Sequence, residues 1–326
     1  MWLIALFSFQ EAWRKKVALI AGALTLAFLI LYGTGLHFIA RDIVNTANPA
    51  ATAKSYYAMM QSILLFVMGI YMASFLVAGL TILAAVGSIA SEIENGTLHT
   101  LAVRPISRRN LFLGKFLGLA AMLVIYAALF FLALTGLVYW QTGLVTPGLA
   151  PALGLFILEP LVLLAVTMLG TTRFTTVSNG VLVFALYAMA MVGGMMEQIG
   201  AMMENTATIY AGVMTSLLLP ADAIYRRLVA TVVDRLPVGN GQDIPYFINP
   251  QLTLGPLGSQ STPSDWMLLY TIVYIVILLA AAVYTFKHRD ICIFRSKTTT
   301  HSNLIRPPIP IQNDHLFQSI STTHSD

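Results

Sequence analysis

Long apolar runs recur six times along this chain of 326 residues, separated by shorter polar segments. A helix rises about 1.5 Å per residue, so a run of about 20 uncharged residues crosses the hydrocarbon core of a bilayer. Strands of a membrane β-barrel would instead show short segments of alternating polarity. The pattern therefore predicts an all-α integral membrane protein whose six transmembrane helices cover residues 17–40, 61–90, 111–140, 149–170, 177–196 and 266–286.

A shorter amphipathic segment, residues 1–16, precedes the first run. Trp2, Leu6 and Trp13 can share one face of a helix, whereas Arg14 lies away from that face. This pattern predicts an interfacial helix on the cytoplasmic leaflet of the membrane. A frayed terminus that merely continues the first span is the alternative that the pattern leaves open.

Composition and charge agree with a membrane location. Apolar residues make up 57% of the chain and charged residues 10%, and the mean hydropathy is +0.78. Of the 18 Lys and Arg residues, 13 fall in segments that are cytoplasmic if the N-terminus is inside. The positive-inside rule therefore predicts a multi-pass protein of the cell membrane with both termini in the cytoplasm. Because the basic residues flank membrane segments, they do not indicate a nucleic-acid partner.

Residues 91–115, between the second and third runs, concentrate charge in a chain that is otherwise sparsely charged. Gly96 favours the end of the preceding helix. Leu98 and Leu101 then lie on one face of a short amphipathic helix, which Pro105 ends because proline cannot continue it. The pattern predicts an ordered cytoplasmic connector, since a disordered loop needs none of these signals.

Glu159 stands inside the fourth run, directly before Pro160. A carboxyl within the membrane is costly unless it is paired, protonated or facing a water-filled cavity, so Glu159 is a candidate for a transport path. The structural alternative is that Glu159 satisfies backbone groups freed by Pro160. Met191 and Met195 of the methionine-rich fifth run are further candidates for the path. Thioethers can bind Cu(I), but methionine also fills gaps between helices, and we predict no metal site.

The connection over residues 200–265 is predicted to be external. Within it, Ile224, Leu228 and Val232 recur every four residues opposite Arg227, which predicts an amphipathic helix over residues 220–236 at the outer membrane surface. A competing interpretation lets residues 206–219 cross the membrane, against the charge count, and a third lets this segment dip into the bilayer and return.

After the N-terminal segment, the chain divides into a membrane domain, residues 17–290, and a tail, residues 291–326. The tail is rich in Ser and Thr and is predicted to be a flexible, disordered cytoplasmic segment.

Several kinds of catalytic site are missing from the sequence. The Gly114–Lys115 pair has Arg109 where an ATP-binding phosphate loop needs a glycine. Zinc-protease and serine-hydrolase motifs are also absent, and the single cysteine, Cys292, cannot form an intrachain disulfide. We therefore expect no catalytic activity from this chain by itself and no directly bound cofactor.

The connector resembles the E-x-E-x-G-T-L…L…P-x-S-R…K signature of type-2 ATP-binding-cassette (ABC) transporter permeases. The layout of the chain is also similar, with an N-terminal amphipathic helix, six spans, a charged connector between the second and third, and an enlarged region before the sixth. The residues that carry the resemblance are Glu92, Glu94, Gly96, Thr97, Leu98, Leu101, Pro105, Ser107, Arg108 and Lys115.

This resemblance implies the membrane subunit of an exporter. It implies pairing with a second permease copy, identical or related, in the lipid of a prokaryotic cell membrane, and with separate ABC ATPase subunits that use ATP and Mg²⁺. A coupling loop over residues 91–110 would receive the ATPase. The residues implied to form this contact are Glu92, Glu94, Gly96, Thr97, Leu98, Leu101, Arg104, Pro105, Arg108 and Arg109.

Two functions of other classes remain open from the sequence. One is a membrane-embedded enzyme that uses Glu159, although no partner residues for catalysis accompany it. The other is a non-catalytic channel or membrane scaffold. Lipids, hydrophobic drugs, peptides, ions and a copper-related cargo are all compatible with the residues of the spans.

Overall fold

The computed structural model describes residues 2–14, 16–46, 52–94, 108–144, 148–233 and 254–288, and all regular structure in these residues is helical. The helices are numbered here in chain order. Their bounds are α1 Trp2–Arg14, α2 Lys16–Thr46, α3 Thr52–Glu94, α4 Arg108–Thr142, α5 Leu149–Thr171, α6 Thr176–Met202, α7 Thr206–Leu218, α8 Ala221–Val233 and α9 Asp265–His288, with a 3₁₀ turn at Gly255–Leu257.

The prediction of six membrane-spanning helices is confirmed. Within α2, α3, α4, α5, α6 and α9 lie apolar segments long enough to cross a bilayer. Roughly half of each span in α3, α4 and α5 is buried inside the chain, whereas 11% of the spans in α2 and α9 is buried. The bundle is therefore built around α3, α4 and α5, and α2 and α9 lie at its periphery.

Side-chain contacts define the two ends of the bundle. At the loop end, where α3 ends and α4 begins, the Nζ of Lys115 donates to the Ser88 carbonyl over 2.9 Å. Phe286, near the end of α9, packs on Phe112 near the start of α4, so α9 also finishes at the loop end. At the opposite end, Gln198 of α6 accepts from the Gln260 backbone, shortly before α9 begins. Thus α6 ends where α9 begins, at the far end of the bundle.

Because α6 ends and α9 begins at the same end, α7 and α8 enter and leave the bundle on one side. The two helices meet at an angle of 108°, and their junction at Leu219 packs beside Val162 and Leu163, near the middle of α5. They therefore form a re-entrant hairpin, and the interpretation in which residues 206–219 cross the membrane is wrong.

The prediction that residues 220–236 lie at the outer surface is also wrong for the part that the structure describes, residues 220–233. Ten of the 13 residues of α8 are buried, and Leu228 and Val229 share a core with Phe66, Phe131 and Phe156 of the central spans. The apolar face of the pattern is buried and Arg227 opposite it stays partly exposed, but Arg226 is turned into the protein as well. It can be buried there because neighbouring helices supply counter-charges, which are described below.

The tip of the hairpin is held by helix α9. Two carbonyls at the end of α7 lack partners within that helix, as at any helix C-terminus. Tyr270 donates to the Leu217 carbonyl over 2.6 Å and Tyr274 donates to the Leu218 carbonyl over 2.8 Å. Small residues let the hairpin approach α6 closely, because a Cβ added to Gly193 would collide with the Thr215 side chain. The hairpin is thus fixed on two sides.

Helix α1 is a packed element of the bundle, so the alternative of a frayed N-terminus is wrong. Its small residues Ala5, Ser8 and Ala12 are buried, while Trp2 and Trp13 are exposed. At Gly118 of α4, an added Cβ would lie 2.5 Å from the Ala5 carbonyl oxygen and 2.7 Å from the Ser8 Cβ. The exposed apolar face of α1 fits the predicted position of this helix at a membrane surface. That position stays a prediction.

We expect Gly118→Leu to displace α1 from α4, because the new side chain would overlap backbone atoms that cannot move aside. Overpacking of this kind costs about 1–3 kcal/mol, and the thermal unfolding midpoint of the purified chain in detergent should fall accordingly. Gly136→Leu on the same helix is the matched control, because Gly136 has open space around its Cα. Equal midpoints for the two variants would contradict this packing.

Candidate functional site

The predicted coupling loop is flanked by two long helices. Glu92 and Glu94 lie in the last turns of α3, and Arg108 and Arg109 open α4, with the Arg109 side chain exposed. These four residues therefore border one connection, as the sequence predicted. The other proposed contact residues, Gly96, Thr97, Leu98, Leu101, Arg104 and Pro105, lie outside the described residues, as does the tail over residues 291–326.

Below the coupling loop, a buried lysine joins the two helices that flank it. Lys115 is 7% exposed and reaches across from α4 to the Ser88 carbonyl of α3. The hydroxyl of Ser88 points in turn to the sulfur of Met168 on α5, at 3.5 Å. These two contacts therefore link the spans α3, α4 and α5 near the loop end of the bundle.

Glu159 lies in the interior of the bundle, on α5. It is 3% exposed, and its carboxylate accepts from the Tyr187 hydroxyl of α6 at 3.4 Å. The Ser74 hydroxyl of α3 is a further neighbour, although it has no hydrogen-bond partner among the described residues. Both neighbours are neutral hydroxyls on other helices, which argues against the alternative that Glu159 serves the backbone around Pro160. Among the ion pairs of the described residues, none includes Glu159.

Two aromatic pairs surround this carboxyl. The Tyr187 ring stands 6.4 Å from the ring of Phe75 on α3, and Tyr71 meets Tyr225 of α8 edge to face at 5.4 Å. Tyr225 lies within electrostatic range of Glu159. We call Glu159, Tyr187, Phe75, Tyr71 and Tyr225 the carboxyl–aromatic cluster. It combines one buried acid with four ring faces or edges.

A second buried polar group, which we call the arginine network, fills the space between α6 and the hairpin. Arg226 is 2% exposed and contacts two carboxylates, Glu197 at 2.6 Å and Asp222 at 2.8 Å. It also donates to the Ser216 hydroxyl over 3.0 Å. The Ser261 hydroxyl donates to Glu197 over 2.7 Å. The network therefore joins α6, both helices of the hairpin and the segment before α9.

The two groups of buried residues are neighbours, because Asp222 lies within electrostatic range of Glu159. Together they hold three carboxyls, Glu159, Asp222 and Glu197, and one guanidinium, that of Arg226. The guanidinium is committed to Asp222 and Glu197 by direct contacts. Of these three acids, Glu159 is the one whose contact is with a tyrosine hydroxyl and not with Arg226.

Of the residues proposed for a transport path, Met191 packs against the core that contains Tyr187, one helical turn away. Met195 lies one turn further along α6 and is half-buried. Glu197 and Asp222 were missed by the sequence analysis. Asp222 and Arg226 are four residues apart, a spacing that suits an ion pair on one helix face. This spacing is the signal that could have identified part of the network.

Within the described ranges, no group of three or more His, Cys, Asp and Glu side chains is placed to hold a metal ion. The buried lysine between α3 and α4 and the acidic interior lie in the same bundle of spans. Compared with known families, residues 2–291 match the model of a family described as ABC-2 family transporter protein. A search of curated proteins finds no significant match.

Proposed function

Because the chain belongs to the ABC-2 family of transporter proteins, we propose that it is the permease subunit of an exporter driven by separate ATPase subunits. The observation that carries this proposal is the family match, which spans all six membrane helices and the coupling loop. The missing phosphate loop supports the need for a partner, because the chain then requires another protein to bind ATP and Mg²⁺.

The contacts at the loop end support a route for energy transfer. On this proposal an ATPase docks on residues 91–110 and pushes or rotates them as it closes around ATP. Lys115 ties the two helices on either side of the loop, and Ser88 extends this connection to α5. Closely packed helices move as rigid bodies, so the loop and the spans would switch together between access states.

We propose further that two permease copies assemble in the membrane, identical or related, with both termini and the coupling loop in the cytoplasm. The exposed surface of the isolated chain is compatible with such an assembly. Large apolar side chains are exposed on α3 and on α6, among them Met68, Met72, Phe184 and Val192. Lipid or a second chain must cover these side chains, because a contiguous apolar surface is unfavourable in water.

The proposal is tested by purifying the tagged full chain from gently solubilised native membranes and asking whether an ATPase accompanies it. We expect an ATPase to co-purify and its ATP turnover to depend on the permease. The matched control is a chain in which residues 97–103 are replaced by seven Gly and Ser residues, which should insert but recover no ATPase. If the unaltered chain brings no ATPase, the proposal is wrong and a channel or scaffold becomes the better interpretation.

A further inference from the structure

The carboxyl–aromatic cluster has the chemistry of a binding site for a positively charged ligand. We infer that the proposed transporter carries hydrophobic organic cations, such as amphiphilic amines, whose charged group pairs with Glu159 between the rings of Tyr187, Phe75, Tyr71 and Tyr225. This inference rests on the proposed function, because it names the substrate class of the same permease.

The first argument is charge balance. Three carboxyls and one guanidinium are buried close together, and Arg226 is occupied by Asp222 and Glu197. Glu159 accepts a hydrogen bond from the Tyr187 hydroxyl, which can hold a carboxyl in place without balancing a negative charge. A buried carboxylate is expensive unless it is paired. Among these buried carboxyls, Glu159 would therefore give a ligand with one positive charge the largest electrostatic stabilisation.

The second argument is the selectivity that the surrounding rings provide. Aromatic faces attract cations, and they attract large organic cations in particular when the ligand is desolvated. An inorganic cation would instead need several oxygen ligands at short distance, and within the described residues no group of His, Cys, Asp and Glu side chains, these three carboxyls included, is placed to hold a metal ion. The combination of rings and one acid favours a hydrophobic cation.

The third argument is access. Phe75 is 40% exposed, and Met68 and Met72 on the same helix are exposed as well. Tyr187 lies behind Phe75, and Glu159 lies behind Tyr187. A ligand that displaces both Phe75 and Tyr187 from the contact between α3 and α6 would therefore reach the acid. Methionine and aromatic side chains can rearrange at such an entrance because their rotamers adapt to different shapes.

The experiment measures binding of tetraphenylphosphonium, a hydrophobic cation, to the purified full chain by equilibrium dialysis in detergent, with empty micelles as background. Tetraphenylborate, an anion of the same size and shape, is the second probe. We expect the unaltered chain to bind the cation and to discriminate against the anion. Glu159→Gln should weaken cation binding by about 30-fold or more, because one partner of a buried charge pair is lost.

Two matched controls separate binding from changes in folding. Glu204→Gln removes an identical charge from an exposed position beyond α6, and this variant should bind the cation like the unaltered chain. Tyr187→Leu should weaken binding by about 3- to 30-fold through loss of the ring, whereas Tyr210→Leu, at an exposed tyrosine of α7, should not. The unfolding midpoint of each variant reports whether the chain is intact.

The inference is overturned if the unaltered chain fails to bind tetraphenylphosphonium, if it binds the anion equally well, or if an intact Glu159→Gln chain binds the cation as before. None of these measurements needs an ATPase. A failure here together with co-purification of an ATPase leaves the exporter proposal standing and removes the cationic substrate. If the chain binds tetraphenylphosphonium but no ATPase co-purifies with it, the cation site stands and the exporter proposal is wrong.

Discussion

Replacing Leu98 and Leu101 together with aspartate is expected to abolish the stimulation of ATP turnover by this chain while leaving its insertion in the membrane intact. Both leucines belong to the apolar face of the short helix that the sequence predicts between Gly96 and Pro105. Burial of each leucine in an ATPase groove would contribute about 1.5–3 kcal/mol. Loss of both therefore lowers the affinity by about 100-fold or more, at about 1.4 kcal/mol per factor of ten.

The measurement is ATP hydrolysis by the partner ATPase reconstituted with each permease variant in lipid vesicles. His99→Asp combined with Thr100→Asp is the matched control, because it places the same two charges in the same loop away from the apolar face. We expect this control to keep most of the stimulation. Stimulation that persists in the double leucine variant would disprove docking through this face, even if the ATPase remained associated elsewhere.

The largest loss of stability is expected for Arg226→Met. The substitution removes the cation between Glu197 and Asp222, and all three side chains are almost fully enclosed. Removing one partner from a buried ionic group typically costs about 3–5 kcal/mol, because the remaining charges are left unpaired. The variant should therefore accumulate poorly in membranes, and its unfolding midpoint in detergent should be strongly reduced.

Arg227→Met provides a control at the next residue. Arg227 pairs with Asp265, whose side chain is 83% exposed, and such exposed pairs contribute about 0–1 kcal/mol. A triple variant that adds Glu197→Gln and Asp222→Asn to Arg226→Met should be more stable than the single variant, since it leaves no unpaired charge. Equal stability of the Arg226 and Arg227 variants would show that the network does not support the hairpin.

The spans could be predicted from the sequence because an uncharged run of sufficient length identifies a membrane helix without knowledge of its neighbours. Glu159 was found for the same reason, as a charge that interrupts such a run. Its hydrogen-bond partner could not be found in this way, because Tyr187 lies 28 residues further along the chain and has no pattern that distinguishes it from other tyrosines.

The hairpin shows why the remaining structure escaped prediction. An amphipathic pattern states that one face of α8 is polar, but it does not state whether that face meets water or a buried counter-charge. The partners of Arg226 include Ser261, 35 residues later, and Glu197 on a different helix. Contacts between residues that are distant in the sequence therefore determine the position of α8. The local pattern alone predicted a helix at the membrane surface, whereas α8 is buried inside the bundle.

The hairpin also sets the order in which the chain can be assembled during synthesis. Neither α7 nor α8, at 13 residues each, is long enough to be released into the lipid as a span, and Arg226 would then face hydrocarbon. Its carbonyl acceptor at Ser261 and the tyrosines that hold the tip are synthesised only afterwards. We therefore expect α7 and α8 to wait at the membrane surface and to enter the bundle after α9 has been inserted, as the last step of folding.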